Sequence, residues 1–212
     1  MMLFADRTDA AEKLALALER YRSDTPLVLG IPRGAVPMAC LIADRLGGEV
    51  DVVLVRKLRA PGRAEFAIGS VDESGWTYLR DDAAEAGADD AYIASEKEIQ
   101  HQTIRARRIA YTAHRQSIDP RDRVVIVVDD GLATGSTMIA ALHALRKMRP
   151  ERLVCAVPVA PAETIALVRP LCDDVVCLAQ PANFLAVGQF YRNFPQVSDD
   201  EVIDSLSPRG GR

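Results

Sequence analysis

The stretch Val124-Val125-Ile126-Val127-Val128-Asp129-Asp130-Gly131-Leu132-Ala133-Thr134-Gly135-Ser136-Thr137 runs five β-branched residues into two acids and then into a loop of small and hydroxylated residues. A run of Val and Ile without a polar face reads as a strand covered on both sides, the position of a central strand in a parallel sheet. Parallel neighbours need crossover connections, which helices supply, so this run predicts an α/β fold.

The flanking sequence agrees with that reading. An Ala/Leu-rich helix over about 8 to 21 follows the capable N-caps Asp6 and Thr8, and Pro26 ends the region. Leu27 to Ile31 reads as a strand, Pro32-Arg33-Gly34 as a tight loop, and Val36 to Leu46 as a helix closed by Gly47-Gly48. Val50 to Val55 is the next strand, and it runs into the basic loop Arg56 to Arg63. Ala67 to Val71 and Thr77 to Leu79 predict a hairpin around Asp72-Glu73-Ser74-Gly75. Six acids and no base occupy Asp81 to Glu96; a long helix rich in arginine (Arg105, Arg107, Arg108, Arg115) then runs to a stop before Pro120. Beyond the central strand come a helix from Ile139 to Met148, a strand from Leu153 to Val157, a helix from Ala162 to Val168 and a strand from Val175 to Leu178. The order predicts a doubly wound, mainly parallel sheet with ligands at the carboxyl ends of its central strands. One domain is expected over 1–206, with an insertion at 66–120, a hood and tail at 179–206, and a disordered tail at 207–212.

Composition narrows the class. Apolar residues are 49% and charged residues 26% of the 212 residues, which excludes disordered, collagen-like and disulfide-scaffold chains. A net charge of −4 argues against a protein built to neutralise nucleic-acid phosphates. No apolar run reaches the length of a membrane span, and the opening Met1 to Arg7 lacks a signal peptide's apolar core, so a cytoplasmic location away from membranes is expected. Cys40, Cys155, Cys172 and Cys177 form no Cys-x-x-Cys and no pairing with His101, His114 or His143, so they read as small hydrophobes.

The acids and the loop after the central strand carry the chemistry. A helix start offers unsatisfied backbone N–H groups, and Thr134, Ser136 and Thr137 add hydroxyls, which together suit a phosphate monoester. Asp129 and Asp130 would repel that phosphate. Beside it they make sense as acceptors from sugar hydroxyls or as partners of a metal; a bare strand end would bury two acids at unrecovered cost. A triphosphate P-loop does not fit, because Gly131 to Gly135 is one residue short and no Lys follows Gly135. Arg33 suits diphosphate oxygens and Gly34 a close backbone approach, although a Pro-Arg-Gly turn alone is a common helix entrance. Taken by itself, the Arg56 to Arg63 segment is a solvated basic loop, and the arginine-rich helix a solvated face.

The thirteen residues Val125 to Thr137 resemble the signature of the type I phosphoribosyltransferases, and the similarity extends over about 200 residues, closest to a bacterial group of unassigned substrate. The resemblance implies transfer of 5-phosphoribosyl from phosphoribosyl pyrophosphate to a nitrogenous acceptor, with Mg²⁺ as cofactor. It puts Asp129 and Asp130 on the ribose hydroxyls and, indirectly, on the metal, and Ala133, Thr134, Gly135, Ser136 and Thr137 around the 5′-phosphate. Pro32, Arg33 and Gly34, with Arg56 and Lys57, would bind pyrophosphate. Arg59 and Arg63 would lie on a mobile catalytic loop. Phe184 and Tyr191, in an aromatic-rich segment after the last strand, would contact the acceptor. Departures are Ala133 where several members carry Asp, Ala182 and Val175 where purine enzymes carry an acid and an aromatic, and Arg59 where the bacterial group carries Gly. Expected partners are phosphoribosyl pyrophosphate and a small-molecule acceptor, with room for a homodimer. The alternatives are a non-catalytic sensor or regulator of the same fold, with the 105–123 stretch as a partner surface, and, less consistent with the loop after Ile31, a metal-dependent phosphohydrolase.

Overall fold

A computed structural model describes residues 2–112 and 117–207. Its main sheet is parallel and holds five strands: β1 (Leu27–Gly30), β2 (Glu49–Val52), β6 (Val124–Val128), β7 (Arg152–Val159) and β8 (Asp174–Ala179), in the spatial order β2-β1-β6-β7-β8. The strands between them in sequence, β3 (Val55–Ala60), β4 (Arg63–Asp72) and β5 (Thr77–Leu79), make a separate antiparallel ribbon. The helices are α1 (Arg7–Ala17), α2 (Ala35–Leu46), α3 (Asp90–Tyr111), α4 (Ser136–Lys147), α5 (Ala162–Val168) and α6 (Asp199–Leu206).

Every residue of β6 is buried, and its side chains divide by parity between two cores. Val124, Ile126 and Val128 join α1 and α2 on one face; Val125 and Val127 join α4 and α5 on the other. The strand order reverses between β1 and β6, which lie side by side with Gly30 opposite Val128. Helices that leave those two strands must diverge to opposite faces, and the crevice between their starts is where an open α/β sheet binds ligands.

The structure differs from the sequence expectations in several places: β2 ends at Val52 and not at Val55, and α3 ends at Tyr111, well short of Pro120. The first helix ends at Ala17 and passes into a 3₁₀ segment, Glu19–Asp24. Helix α4 starts at Ser136, three residues before Ile139. The C-terminal region contains α6, capped reciprocally by Ser198 and Glu201. Most consequential, the basic segment is strand β3 up to Ala60, paired with β4, and only Pro61-Gly62 is a turn. Its buried residues are Val55, Leu58 and Ala60, and register shifts on either side of Arg59 break the strict alternation by which a strand is recognised. The hairpin does form, its turn tied by Asp72 Oδ1, which accepts from Ser74 Oγ (2.6 Å) and Trp76 N (3.0 Å). Residues 208–212 of the expected tail, together with His114 and Arg115, lie outside the described residues.

Ile126 is fully buried at the middle of the central strand. Ile126→Ala is expected to lower unfolding free energy in urea by about 2–5 kcal/mol through lost burial and a residual cavity. A loss below about 1 kcal/mol would contradict a tightly packed sheet centre.

Candidate active site

The end of β6 delivers Asp129 and Asp130 into the crevice. Asp130 N donates to Asp129 Oδ1 at 2.9 Å, and Asp130 Oδ2 accepts from Arg7 Nε at 2.8 Å and Arg7 Nη2 at 2.7 Å. Burial, with Asp130 as a like-charged neighbour, pushes the Asp129 carboxyl well above the usual carboxylate range. Burial raises Asp130 too, against the pull of Arg7. The crevice thus holds two acids whose charged forms burial disfavours and a cationic or hydrogen-bond-donating group would favour.

Arg7 is a residue the sequence reading missed. Its guanidinium lies 3.8 Å from the centre of the Phe194 ring and donates to Pro195 O at 2.6 Å, so the first helix, the second acid and the C-terminal region meet at one cation. No local pattern announces a contact across 123 positions of sequence. Gly34 faces the same carboxylate: a Cβ there would fall 2.1 Å from Asp130 Oδ2. Gly34 is therefore required by close approach rather than by an unusual backbone angle.

The loop after the acids is fixed from outside. Thr164 Oγ1 donates to Ala133 O (2.6 Å), and Ser70 Oγ, reaching over from the ribbon, donates to Ser136 O (3.0 Å). Gly131 packs under the hood, where a Cβ would approach Val187 Cγ1 to 2.5 Å. Gly135, left-handed at φ 74°, caps α4 without a side-chain hydrogen bond, which leaves the helix start to a ligand. The hydroxyls of Thr134 and Ser136 stand 3.1 Å apart. A cavity of about 250 Å³ opens here, lined by Asp129 to Met138, Ile31, Pro32, Lys57 and Val187. Oriented amides, a positive dipole end and hydroxyls around this volume suit a phosphate group.

Across the crevice, Ile31 N donates to Val128 O (3.0 Å), and the peptide between Pro32 and Arg33 is cis. Arg33 and Gly34 line a second cavity of about 260 Å³ with Arg7, Asp129 and Asp130. A third, of about 280 Å³, is lined by Arg56, Lys57 and Arg59 of β3 with Arg107 of α3. Pro32 borders all three.

The structure therefore gathers Asp129, Asp130, residues 133–137, Pro32, Arg33, Gly34, Arg56, Lys57 and Arg59 around one crevice. Arg63, exposed at the start of β4, lines none of these cavities. Tyr191 is buried between Phe4 and Phe194, with ring centres 5.2 and 4.7 Å away, and donates through its hydroxyl to Asp130 O at 2.7 Å. That packing makes it a support of the acid strand end and not an open stacking surface, a correction to the acceptor contact expected of it. Phe184 is half-buried against Phe190, at 5.1 Å.

Comparison with known proteins places this geometry. The phosphoribosyl transferase domain model matches residues 5–195. Two curated Mycobacterium tuberculosis proteins, named "Putative phosphoribosyl transferase MT0597" (strain CDC 1551 / Oshkosh) and "Putative phosphoribosyl transferase Rv0571c" (strain H37Rv), are each 42% identical over 212 residues. These alignments cover 97% of this chain and 47% of each relative, so the chain spans about half the length of the curated relatives it matches. The crystal structure of TT1426 from Thermus thermophilus is 43% identical, with a TM-score of 0.81 over 97% of this chain and 98% of that one. The matched span opens at Ala5 and closes at Pro195, the two segments that Arg7 ties to Asp130, and on that footing the chain belongs to the phosphoribosyl transferase domain family.

Proposed function

We propose that the protein transfers a 5-phosphoribosyl group from phosphoribosyl pyrophosphate to a nitrogenous small-molecule acceptor. The observation that carries this reading is the adjacency of two buried acids, whose pKa values burial raises, to a helix start without a side-chain cap at the switch point of the sheet, with arginines across the crevice. A phosphate and a sugar diol joined in one ligand meet both needs. In the reaction a bond forms from the acceptor nitrogen to C1′ as the C1′–O bond breaks; pyrophosphate leaves with the electron pair, and the acceptor's proton passes to solvent.

The roles follow from position. Residues 133–137 hold the 5′-phosphate, and Asp129 and Asp130 accept from the ribose hydroxyls. Arg33, Arg56 and Lys57 oppose the charge that grows on pyrophosphate, with Arg59 beside them. Arg7 and Tyr191 are positioning residues, since each acts through Asp130. Arg63 has no part in this scheme. Phe184 remains the aromatic available to the acceptor from the hood.

Mg²⁺ fits this donor set as a shared ion. Among the described residues no group of three or more His, Cys, Asp or Glu side chains is assembled, so the protein offers no closed cage. Two adjacent carboxylates that repel each other fit a cation held jointly with ligand oxygens, and when bound the ion supplies charge neutralisation for the leaving diphosphate.

Titration calorimetry with phosphoribosyl pyrophosphate and Mg²⁺ is expected to show saturable binding, and pyrophosphate release should appear with one member of a panel of purines, pyrimidines and amines. No heat at millimolar ligand would refute the reading; binding without release across the panel would replace it with a sensor.

Asp129→Asn separates function from stability. The raised carboxyl pKa means that the folded state holds a proton the unfolded chain releases, so stability is full below the ordinary carboxylate range and falls as pH rises through the raised value. Removing the charge should therefore raise Tm at pH 7, with the gain shrinking as pH falls below about 4, where the unfolded chain becomes protonated as well. The same variant should bind the ligand at least about tenfold more weakly, the scale of a lost charge-assisted hydrogen bond. Unchanged affinity would remove Asp129 from the ribose.

A further inference from the structure

The third cavity is built by two elements whose sequences read, alone, as solvated surface: the basic strand β3 and the arginine-rich helix α3. Four cations border it, Arg56, Lys57, Arg59 and Arg107. Arg56, Lys57 and Arg59 have no ion pair among the described residues, whereas Arg107 has only a loose one, its Nε 3.9 Å from Asp199 Oδ1. Burial, then the nearby Arg107 and Arg59 charges, depress the Arg56 pKa, which marks a site where another positive charge is unwelcome and a negative one is not.

The helix beneath is arranged to hold these cations open. Glu96, Gln100, Ile104, Arg107 and Tyr111 succeed one another at intervals of four and three, so they share one face of α3. Glu96 and Gln100 are buried, an unusual outcome for such residues, and both are satisfied in one chain of bonds. Gln100 Nε2 donates to Glu96 Oε1 (2.9 Å), and Arg56 Nε donates to Gln100 Oε1 (2.8 Å). A neutral amide thus orients Arg56, and the Glu96 carboxylate one bond further on offsets its charge only at a distance. Arg59 is fixed by its main chain, whose N–H donates to the same Glu96 oxygen at 3.1 Å.

On the far side, Asp199 at the start of α6 stands between the two cavities of the diphosphate side. Its Oδ2 is 3.7 Å from Arg33 Nη1, its Oδ1 faces Arg107, and it accepts from the Tyr111 hydroxyl. Both arginine distances exceed hydrogen-bonding range, so this carboxylate pairs with them in charge but leaves their N–H groups available.

We propose that Arg107, supplied by the insertion, is a further direct ligand of the diphosphate in the seat between β3 and α3, beside Arg56 and Arg59, and that Asp199 competes with the anion for Arg33 and Arg107. The assignment of this anion as the leaving group rests on the transferase reading. Pro32, Lys57 and Thr137 border both this cavity and the 5′-phosphate cradle, so one ligand carrying phosphates at two ends can reach both.

The experiment uses inorganic pyrophosphate and ribose 5-phosphate as separate titrants. Arg107→Ala is expected to weaken pyrophosphate roughly tenfold or more while ribose 5-phosphate stays within about twofold, and Arg107→Lys should recover part of the loss. Asp199→Asn, which removes the competitor and keeps the shape, should tighten pyrophosphate. Unchanged pyrophosphate affinity in Arg107→Ala, or equal losses for both titrants, would overturn the seat; so would an Asp199→Asn protein that binds pyrophosphate no better. A wild-type protein that binds pyrophosphate in an Arg107-dependent way but neither ribose 5-phosphate nor phosphoribosyl pyrophosphate would keep the seat and sink the transferase reading.

Discussion

Two carboxylates on consecutive residues at the mouth of a fully buried strand are costly, and much of the surrounding structure answers to them. Asp129 and Asp130, neighbours in the chain, follow β6 at the point where the strand order reverses and helices withdraw to both sides. Arg7 compensates one of the pair through two bonds to a single oxygen, and nothing of comparable strength reaches the other among the described residues. The asymmetry leaves one acid structural in part and the other uncompensated, an arrangement that suits a ligand-binding site better than a finished ion-pair network.

The same constraint organises the periphery. Arg7 can reach Asp130 only if α1 begins beside the hood, and the chain secures that start with Phe4 paired to Tyr191 and with main-chain bonds from Arg192 N to Phe4 O and from Asn193 N to Ala5 O, both 2.9 Å. Tyr191 then turns its hydroxyl on the Asp130 carbonyl. The hood is therefore joined to the acids from two directions, through the Arg7 side chain and through this phenol. Aromatics that a linear reading would give to a ligand are used instead to hold the backbone that presents the acids.

How much of this was legible in the sequence depends on the range over which each feature is specified. The parallel sheet was, because Val124 to Val128 is unambiguous over five residues and each helix that follows carries its own periodicity. The cavity-lining loop from Ala133 to Thr137 was too, since its residues are contiguous. The ribbon's first strand was not: bulges at Arg59 shift the buried positions to 55, 58 and 60, and the cations between them imitate a loop. Helix α6 was readable in principle from Ser198-Asp199-Asp200-Glu201, a capping box followed by Val202 and Leu206 as its buried residues. Arg7 and Arg107 lay beyond reach, because their partners are far away in sequence and nothing near either one sets it apart from an ordinary surface arginine.

The bulged register of β3 bears on how this family member tolerates change. Side chains along a strand alternate faces, so a one-residue deletion between Val55 and Ala60 would turn the residues on one side of it to the opposite face, breaking the match between the buried Val55, Leu58 and Ala60 and the cavity-lining cations while leaving composition and net length almost intact. The turn at Pro61-Gly62 faces open space, since a Cβ on Gly62 would meet nothing within 4 Å, and its left-handed φ of 68° constrains the residue type there and not the packing around it. Length variation among descendants of this chain should then collect at the tip of the ribbon and be purged from its first strand, a drift pattern set by strand geometry more than by the chemistry of any single cation.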